Sequence, residues 1–148
     1  MSGERIGSVN RKRLLDSFAL LAYLNQENGF EIIKSVLAKA QKSGIFLVMN
    51  EINIGESYYI LFRKRGREKA DYFLENILPG LPISTVSNDF QQVIDAARLK
   101  AEYSLSFADC FAVATARREE AMIMTGDPEF KKIEHLVEIE WILQFTIG

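Results

Sequence analysis

Apolar residues along this chain come in two rhythms. Short runs of strand length fall at Leu14-Leu15, at Ile45-Phe46-Leu47-Val48-Met49, at Leu81–Val86 and at Ala121–Thr125. A continuous apolar run fits a strand covered on both faces, as in a parallel sheet. Between them the apolar positions recur at helical spacing. Phe30, Ile33, Val36, Leu37 and Ala40 predict a helix over Phe30–Lys42, closed by Ser43-Gly44. The same period predicts helices over Phe18–Leu24, Asn53–Lys64, Glu68–Leu78, Asn88–Glu102 and Ser106–Arg118. A last strand is expected near Ile133–Val137, and the apolar tail Ile139–Ile147 has no clear rhythm. Strands alternating with helices mean an α/β domain with a mainly parallel sheet.

The chain has 148 residues, enough for one domain. Residues 1–10 are polar and read as a flexible lead segment, and 11–148 as the domain. With 48% hydrophobic and 26% charged residues a full core is affordable. No apolar stretch is long enough to span a bilayer, and the N-terminus lacks a secretory pattern. The single Cys110 lies among Phe107, Ala108, Phe111 and Ala112, which suits a buried thiol. A cytoplasmic protein is the default expectation. The formal charge of −2 excludes a general basic coat for nucleic acid. Contact with RNA would therefore need a local basic patch or bound cations.

The acids at the ends of predicted elements carry the candidate chemistry, because sites in open parallel sheets gather beyond the carboxyl ends of the strands. Asp16 follows the first strand. It is either a metal ligand or the N-cap of the next helix. Glu56 stands in Asn53-Ile54-Gly55-Glu56, which has capping-box spacing. Glu51 competes with it, and on one helix the two diverge by roughly 140°. Spacing alone does not choose between them. Asp109, in Ser106-Phe107-Ala108-Asp109, opens a helix that is apolar nearly all round and so is expected to be buried. Asp127 precedes Pro128 and also suits a cap. Each acid has a structural explanation, but together they line one edge of one sheet. Oxygen ligands suit Mg²⁺ and Mn²⁺. Two such ions can activate a water and stabilise an in-line phosphoryl displacement.

Four segments carry a family resemblance. Leu14-Leu15-Asp16-Ser17-Phe18-Ala19-Leu20-Leu21-Ala22-Tyr23-Leu24 resembles the opening of PIN domains. Asn53-Ile54-Gly55-Glu56-Ser57-Tyr58-Tyr59, Leu105–Ala116 and Thr125-Gly126-Asp127-Pro128-Glu129-Phe130 resemble their second, third and fourth acidic motifs. Order and spacing match from about Lys12 to Leu136, most closely in the manner of VapC-type toxins of toxin–antitoxin pairs. The resemblance implies that Asp16, Glu56, Asp109 and Asp127 are the catalytic, metal-binding acids, and it selects Glu56 over Glu51. It implies an Mg²⁺- or Mn²⁺-dependent endoribonuclease, with Thr125 as polar support. It also implies a homodimer and a small cognate antitoxin. Ser57 departs from the aliphatic residue expected there.

Arg63-Lys64-Arg65-Gly66-Arg67 is the one dense basic cluster, at a helix–helix turn. It reads either as a solvated helix end or as an RNA or partner contact. Tyr58, Tyr59, Phe62, Tyr72 and Phe73 flank it at core-like spacing, though an exposed aromatic groove for the antitoxin is the alternative. His135 falls in a predicted strand and reads as a structural or surface residue. Trp141 and Phe145 are expected to pack the tail onto the body. Competing functions are a non-cleaving binding or regulatory module and an RNA-processing nuclease outside a toxin pair. A phosphotransfer receiver domain is excluded, because no acid pair follows the first strand.

Overall fold

The computed structural model describes residues 11–143. Five strands form one sheet in the order β3-β2-β1-β4-β5, all parallel. In chain order the elements are β1 (Arg13–Leu15), α1 (Ser17–Leu24), α2 (Phe30–Ser43), β2 (Leu47–Asn50) and α3 (Glu51–Arg65). Then come α4 (Arg67–Tyr72), β3 (Ile83–Val86), α5 (Phe90–Glu102), α6 (Phe107–Glu119), β4 (Met122–Thr125) and β5 (Ile139–Trp141).

Alternation along the strands divides the interior in two. Leu15, Met49 and Met124 face the α1, α2 and α3 side with Leu20, Ile33, Leu61 and Phe73. Leu14, Val48 and Ile123 face the other side with Phe111, Val113, Phe130 and Ile133. Two covered faces explain why the central strands read as unbroken apolar runs. β1 lies mid-sheet. The chain winds outward to β2 and β3 on one side, then returns to β4 and β5 on the other. The strand order reverses between β1 and β4, so a crevice opens at their carboxyl ends.

Several boundaries differ from the sequence expectation. No strand forms at Ile133–Val137: Pro128–Ile133 is a 3₁₀ helix and a turn follows. The edge strand is Ile139–Trp141, inside the segment that lacked a rhythm. Ile133 and Leu136 meet the core from a tight turn, which satisfies their hydrophobicity without a strand. His135 is accordingly in a turn, with Tyr103 Oη 3.1 Å from its Nε2. β2 begins at Leu47, leaving Ile45 and Phe46 exposed, and β3 is shorter than the apolar run that predicted it. The helix expected over Glu68–Leu78 ends at Tyr72, then widens into a π turn over Phe73–Ile77 and tightens at Leu78–Gly80 before Leu81. Trp141 packs against the second core from β5, whereas Phe145 lies outside the described residues. Residues 1–10 lie outside them too. Among the described residues no helix is long and apolar enough to cross a membrane.

Gly29 ties the fold's entry to its end. It has φ +96° at the start of α2, and a Cβ there would meet Ile142 of the segment after β5 at 2.9 Å. Gly29→Ala therefore imposes left-handed strain and a clash together. We expect a loss of about 1–3 kcal/mol in urea unfolding. An unchanged midpoint would show that the Ile142 contact relaxes freely.

Candidate active site

Local chemistry first sets each acid at the mouth of the crevice. Asp16 ends β1 and caps α1, accepting from the Ala19 amide at 2.8 Å. Its other oxygen accepts from the Thr125 hydroxyl at the end of β4. Both residues are fully buried, Asp16 at 1% and Thr125 at 0% exposure. The pairing is a direct result of register, since Leu15 lies opposite Met124 on adjacent parallel strands. Thr125 Oγ1 also accepts from the Asp127 amide at 3.0 Å, and Asp127 caps the following 3₁₀ helix through the Glu129 amide. Gly126 between them has no room for a side chain: a Cβ would strike the Phe18 ring and Leu143.

Glu56 arrives from α3. Ser17, the first residue of α1, donates its hydroxyl to Glu56 Oε1 at 2.6 Å. The capping-box expectation for Asn53 and Glu56 fails. α3 begins two residues earlier, at Glu51, capped by Asn50, whose side chain accepts from the Ile52 amide. Asn53 is instead buried inside the helix and donates to the Ala108 carbonyl, tying α3 to the first turn of α6. Glu51 turns to Ser87, from which it accepts a hydrogen bond at 3.1 Å. Asn50 is buried and exchanges amide hydrogen bonds with Asn88, and it donates to Thr115 of α6. These contacts hold β2, α3 and α6 in one frame.

Asp109 sits in the first turn of α6, whose N-cap Ser106 accepts from the Asp109 amide. The middle of that helix, Cys110 to Ala116, is buried as its all-round apolar sequence required, while Phe107, Arg117 and Arg118 at its ends are exposed.

Electrostatics links the acids in two sets: Asp16 feels Asp109 and Asp127, and Asp109 feels Glu56, Asp127 and Glu129. Burial, the largest cause, raises Asp16 to about 8, against the Thr125 and Ala19 hydrogen bonds; Asp109 and Asp127 raise it further. Burial and then Glu56 raise Asp109 to about 6, with the Ser106 hydroxyl opposing and Asp127 and Glu129 adding. No cation figures among these influences. Glu129 is a fifth acid that sequence reasoning passed over, and Ser17 and Asn53 were missed as well. Ser17 stands beside Asp16, but its role depends on α1 packing against α3, which spacing does not reveal.

Among the described residues no three Asp, Glu, His or Cys side chains stand close enough to make a ready cage for a metal. The donor set still fits a hard divalent cation in chemistry, being all oxygen and net negative. Mg²⁺ keeps several waters and needs only one or two direct carboxylates. A separate cleft of about 930 Å³, lined by Arg117, His135 and Glu138 among others, contains none of the four acids.

Residues 13–136 match the family model for the PIN domain. The chain belongs to the PIN domain family. No curated protein sequence matches it. Solved structures show the same fold. The DNA-bound VapBC complex of Salmonella typhimurium superposes with a TM-score of 0.67 at 16% identity, covering 89% of this chain and 98% of that one. FitAcB from Neisseria gonorrhoeae gives 0.62 at 18%, covering 86% and 95%. VapC20 of Mycobacterium tuberculosis, described as a sarcin-ricin-loop-cleaving toxin, gives 0.62 at 16%, covering 81% and 93%. Membership of the PIN family indicates a nuclease, a hydrolase of phosphodiester bonds. PIN nucleases generally use divalent metal ions.

Proposed function

We propose that the protein is an Mg²⁺- or Mn²⁺-dependent endoribonuclease and the toxin of a type II toxin–antitoxin pair. The observation that carries this is that burial raises the Asp16 and Asp109 carboxyls and the charges of neighbouring acids push them up further, Asp109 and Asp127 for the first and Glu56 and Asp127 for the second, at the ends of β1 and β4 and the start of α6. The likeness to VapBC and FitAcB supports the toxin part of the reading.

Asp16, Glu56 and Asp109 would hold the ion, directly or through water, with Asp127 completing the set. A bound divalent cation supplies Lewis acidity towards a phosphoryl oxygen and lowers the pKa of a water. The chain's own residues do the positioning. Thr125 orients Asp16 and the Asp127 backbone together, Ser17 orients Glu56, and the α1 capping bond fixes the second Asp16 oxygen. No protein nucleophile is needed. The single Cys110 is buried, and burial pushes its thiol up. Arg63, Lys64, Arg65 and Arg67 are exposed at the junction of α3 and α4 and are proposed to contact RNA or a partner.

Thr125→Val keeps the shape but removes both hydrogen bonds made by the hydroxyl. We expect about a 10- to 100-fold loss of cleavage, with Thr125→Ser keeping most of the activity. Equal rates for Val and wild type would remove Thr125 from the site.

The test of the function is incubation of the purified chain with total RNA in Mg²⁺, in Mn²⁺ and in EDTA. Discrete fragments that appear only with the ion, and return when it is restored, support the reading. Folded protein that leaves RNA intact with either ion sinks it. Growth arrest on expression, relieved by a small neighbouring gene product, separates a toxin from an RNA-processing nuclease. We also propose a homodimer, which light scattering on the purified chain tests directly.

A further inference from the structure

We propose that the exposed face of α3 is the track for an unpaired RNA strand running away from the acid cluster. Tyr59 would be the platform for a base, and Arg63 its cationic companion. This deepens the RNA-cleaving reading and rests on it.

At 3.6 residues per turn, Ile52, Glu56, Tyr59 and Arg63 fall on one stripe of α3. The opposite side, with Asn53, Ile54, Ser57 and Leu61, is buried. Ile52 is 40% exposed and Tyr59 47%, with Phe62 at the edge of the stripe 41% exposed. The aromatic spacing near the basic cluster suggested core, yet only Phe73 of that group is fully buried. Tyr59 and Phe62 are left at the surface of the helix that also carries Glu56 into the site.

The Arg63 guanidinium lies over the Tyr59 ring, 5.3 Å from its centroid. Such a pair joins a π face to a planar cation, the combination that stacks bases and neutralises phosphates in single-strand grooves. Among the described residues, no carboxylate forms an ion pair with Arg63, Lys64 or Arg65, and Arg67 shares Asp71 at only 3.6 Å. Arg63, Lys64 and Arg65 thus present positive charge at the far end of the helix that carries Glu56. Glu56 and Arg63 are seven residues apart, about 10 Å along the axis. That matches roughly three stacked nucleotide steps at about 3.4 Å each. A strand could thus place one phosphate at the acids while a base about one step away meets Tyr59, about 4.5 Å along the axis, and a phosphate about three steps away meets Arg63. A duplex keeps its bases stacked on each other and cannot use the platform. The stripe mixes one aliphatic, one acid, one aromatic and one cation, which suits a nucleic acid better than the continuous apolar face of a partner helix would.

The test uses the full chain carrying Asp109→Asn, so that RNA is bound without cleavage. Fluorescence anisotropy at low salt would compare a short single-stranded RNA with its duplex. Tyr59→Ala is expected to weaken single-strand binding by about 5- to 150-fold, and Tyr59→Phe to restore it. Arg63→Ala is expected to weaken binding and to reduce the salt slope by about one. Tyr72→Ala, an exposed aromatic off the stripe, serves as the control and is expected to change nothing. Circular dichroism checks that each variant folds. Single-strand binding unchanged by Tyr59→Ala and Arg63→Ala overturns the proposal, as does binding that favours the duplex. If Tyr59→Ala alters the oligomeric mass and leaves RNA affinity alone, the stripe is a protein interface and the proposal is wrong. Wild-type cleavage of RNA with unaffected variants would sink the track and leave the nuclease standing. Stripe-dependent binding without any cleavage would do the reverse.

Discussion

Asp109→Asn is expected to reduce metal-dependent RNA cleavage by more than about 100-fold, a loss of roughly 3 kcal/mol or more in transition-state stabilisation. The substitution is nearly isosteric. The cap of α6 depends on the Asp109 backbone amide, which donates to Ser106, and not on its carboxylate. The fold should therefore survive. What is lost is one negative oxygen donor from a space that it shares with Glu56, Asp127 and Glu129. Hard cations bind carboxylates through charge, and a neutral amide is a poor replacement. Gel analysis of timed digests in Mn²⁺ reads the rate, and calorimetry of Mn²⁺ binding reads affinity separately. Wild-type rates from a folded Asp109→Asn protein would place the cleaving site elsewhere.

The second large effect concerns stability. Asp16 is buried and its carboxyl is raised to about 8, so the metal-free native state holds a proton that the unfolded chain releases near pH 4. The native state binds more protons between those values, so this group's contribution is fully present below about pH 4. It is lost as pH rises towards 8. Asp109, raised to about 6, adds a smaller loss of the same sign between about pH 4 and 6. Asp16→Asn imitates the neutral carboxyl permanently. In EDTA, the variant should be more stable than wild type at pH 7.5 by about 2–4 kcal/mol, or roughly 5–15 °C in melting temperature. The gap should close near pH 4. Mn²⁺ competes with the proton, so it should stabilise wild type increasingly from pH 6 to 8 and leave the variant almost unmoved. Parallel melting curves for the two proteins across pH 4–8 would mean that Asp16 is already ionised in the metal-free fold, and the burial argument would fail.

The alternation of helical and strand rhythms made the α/β class legible, together with the parallel sheet and the covered central strands. Leu14-Leu15, Val48-Met49 and Ile123-Met124 are apolar on consecutive positions because helices cover both faces. Asp16, Asp109 and Asp127 were visible as candidates because an acid at the junction of an apolar strand or helix has few reasons to be there. Glu56 was a candidate too, in competition with Glu51, and the PIN resemblance in four ordered motifs selected it. Local rhythm failed where the structure is set by contacts distant in sequence. Ile133–Val137 is as apolar as a strand, but its residues reach the core from a turn. Ile139–Trp141 becomes a strand only because β4 offers it an edge.

Spacing could not choose between Glu51 and Glu56, since both lie on one helix and only packing decides which side faces inward. Ser17 from α1 and the Asn53–Ala108 bond to α6 turn Glu56 towards the acids, and Ser87 takes Glu51. The same holds for Asp16 and Thr125. They lie 109 residues apart and share a hydrogen bond because β1 and β4 are neighbours in register. The sequence by itself determined which residue types were available and on which elements, because those follow from local periodicity. Only the tertiary structure decided which of them share a crevice, because strand order and helix packing are set by burial summed over the whole chain.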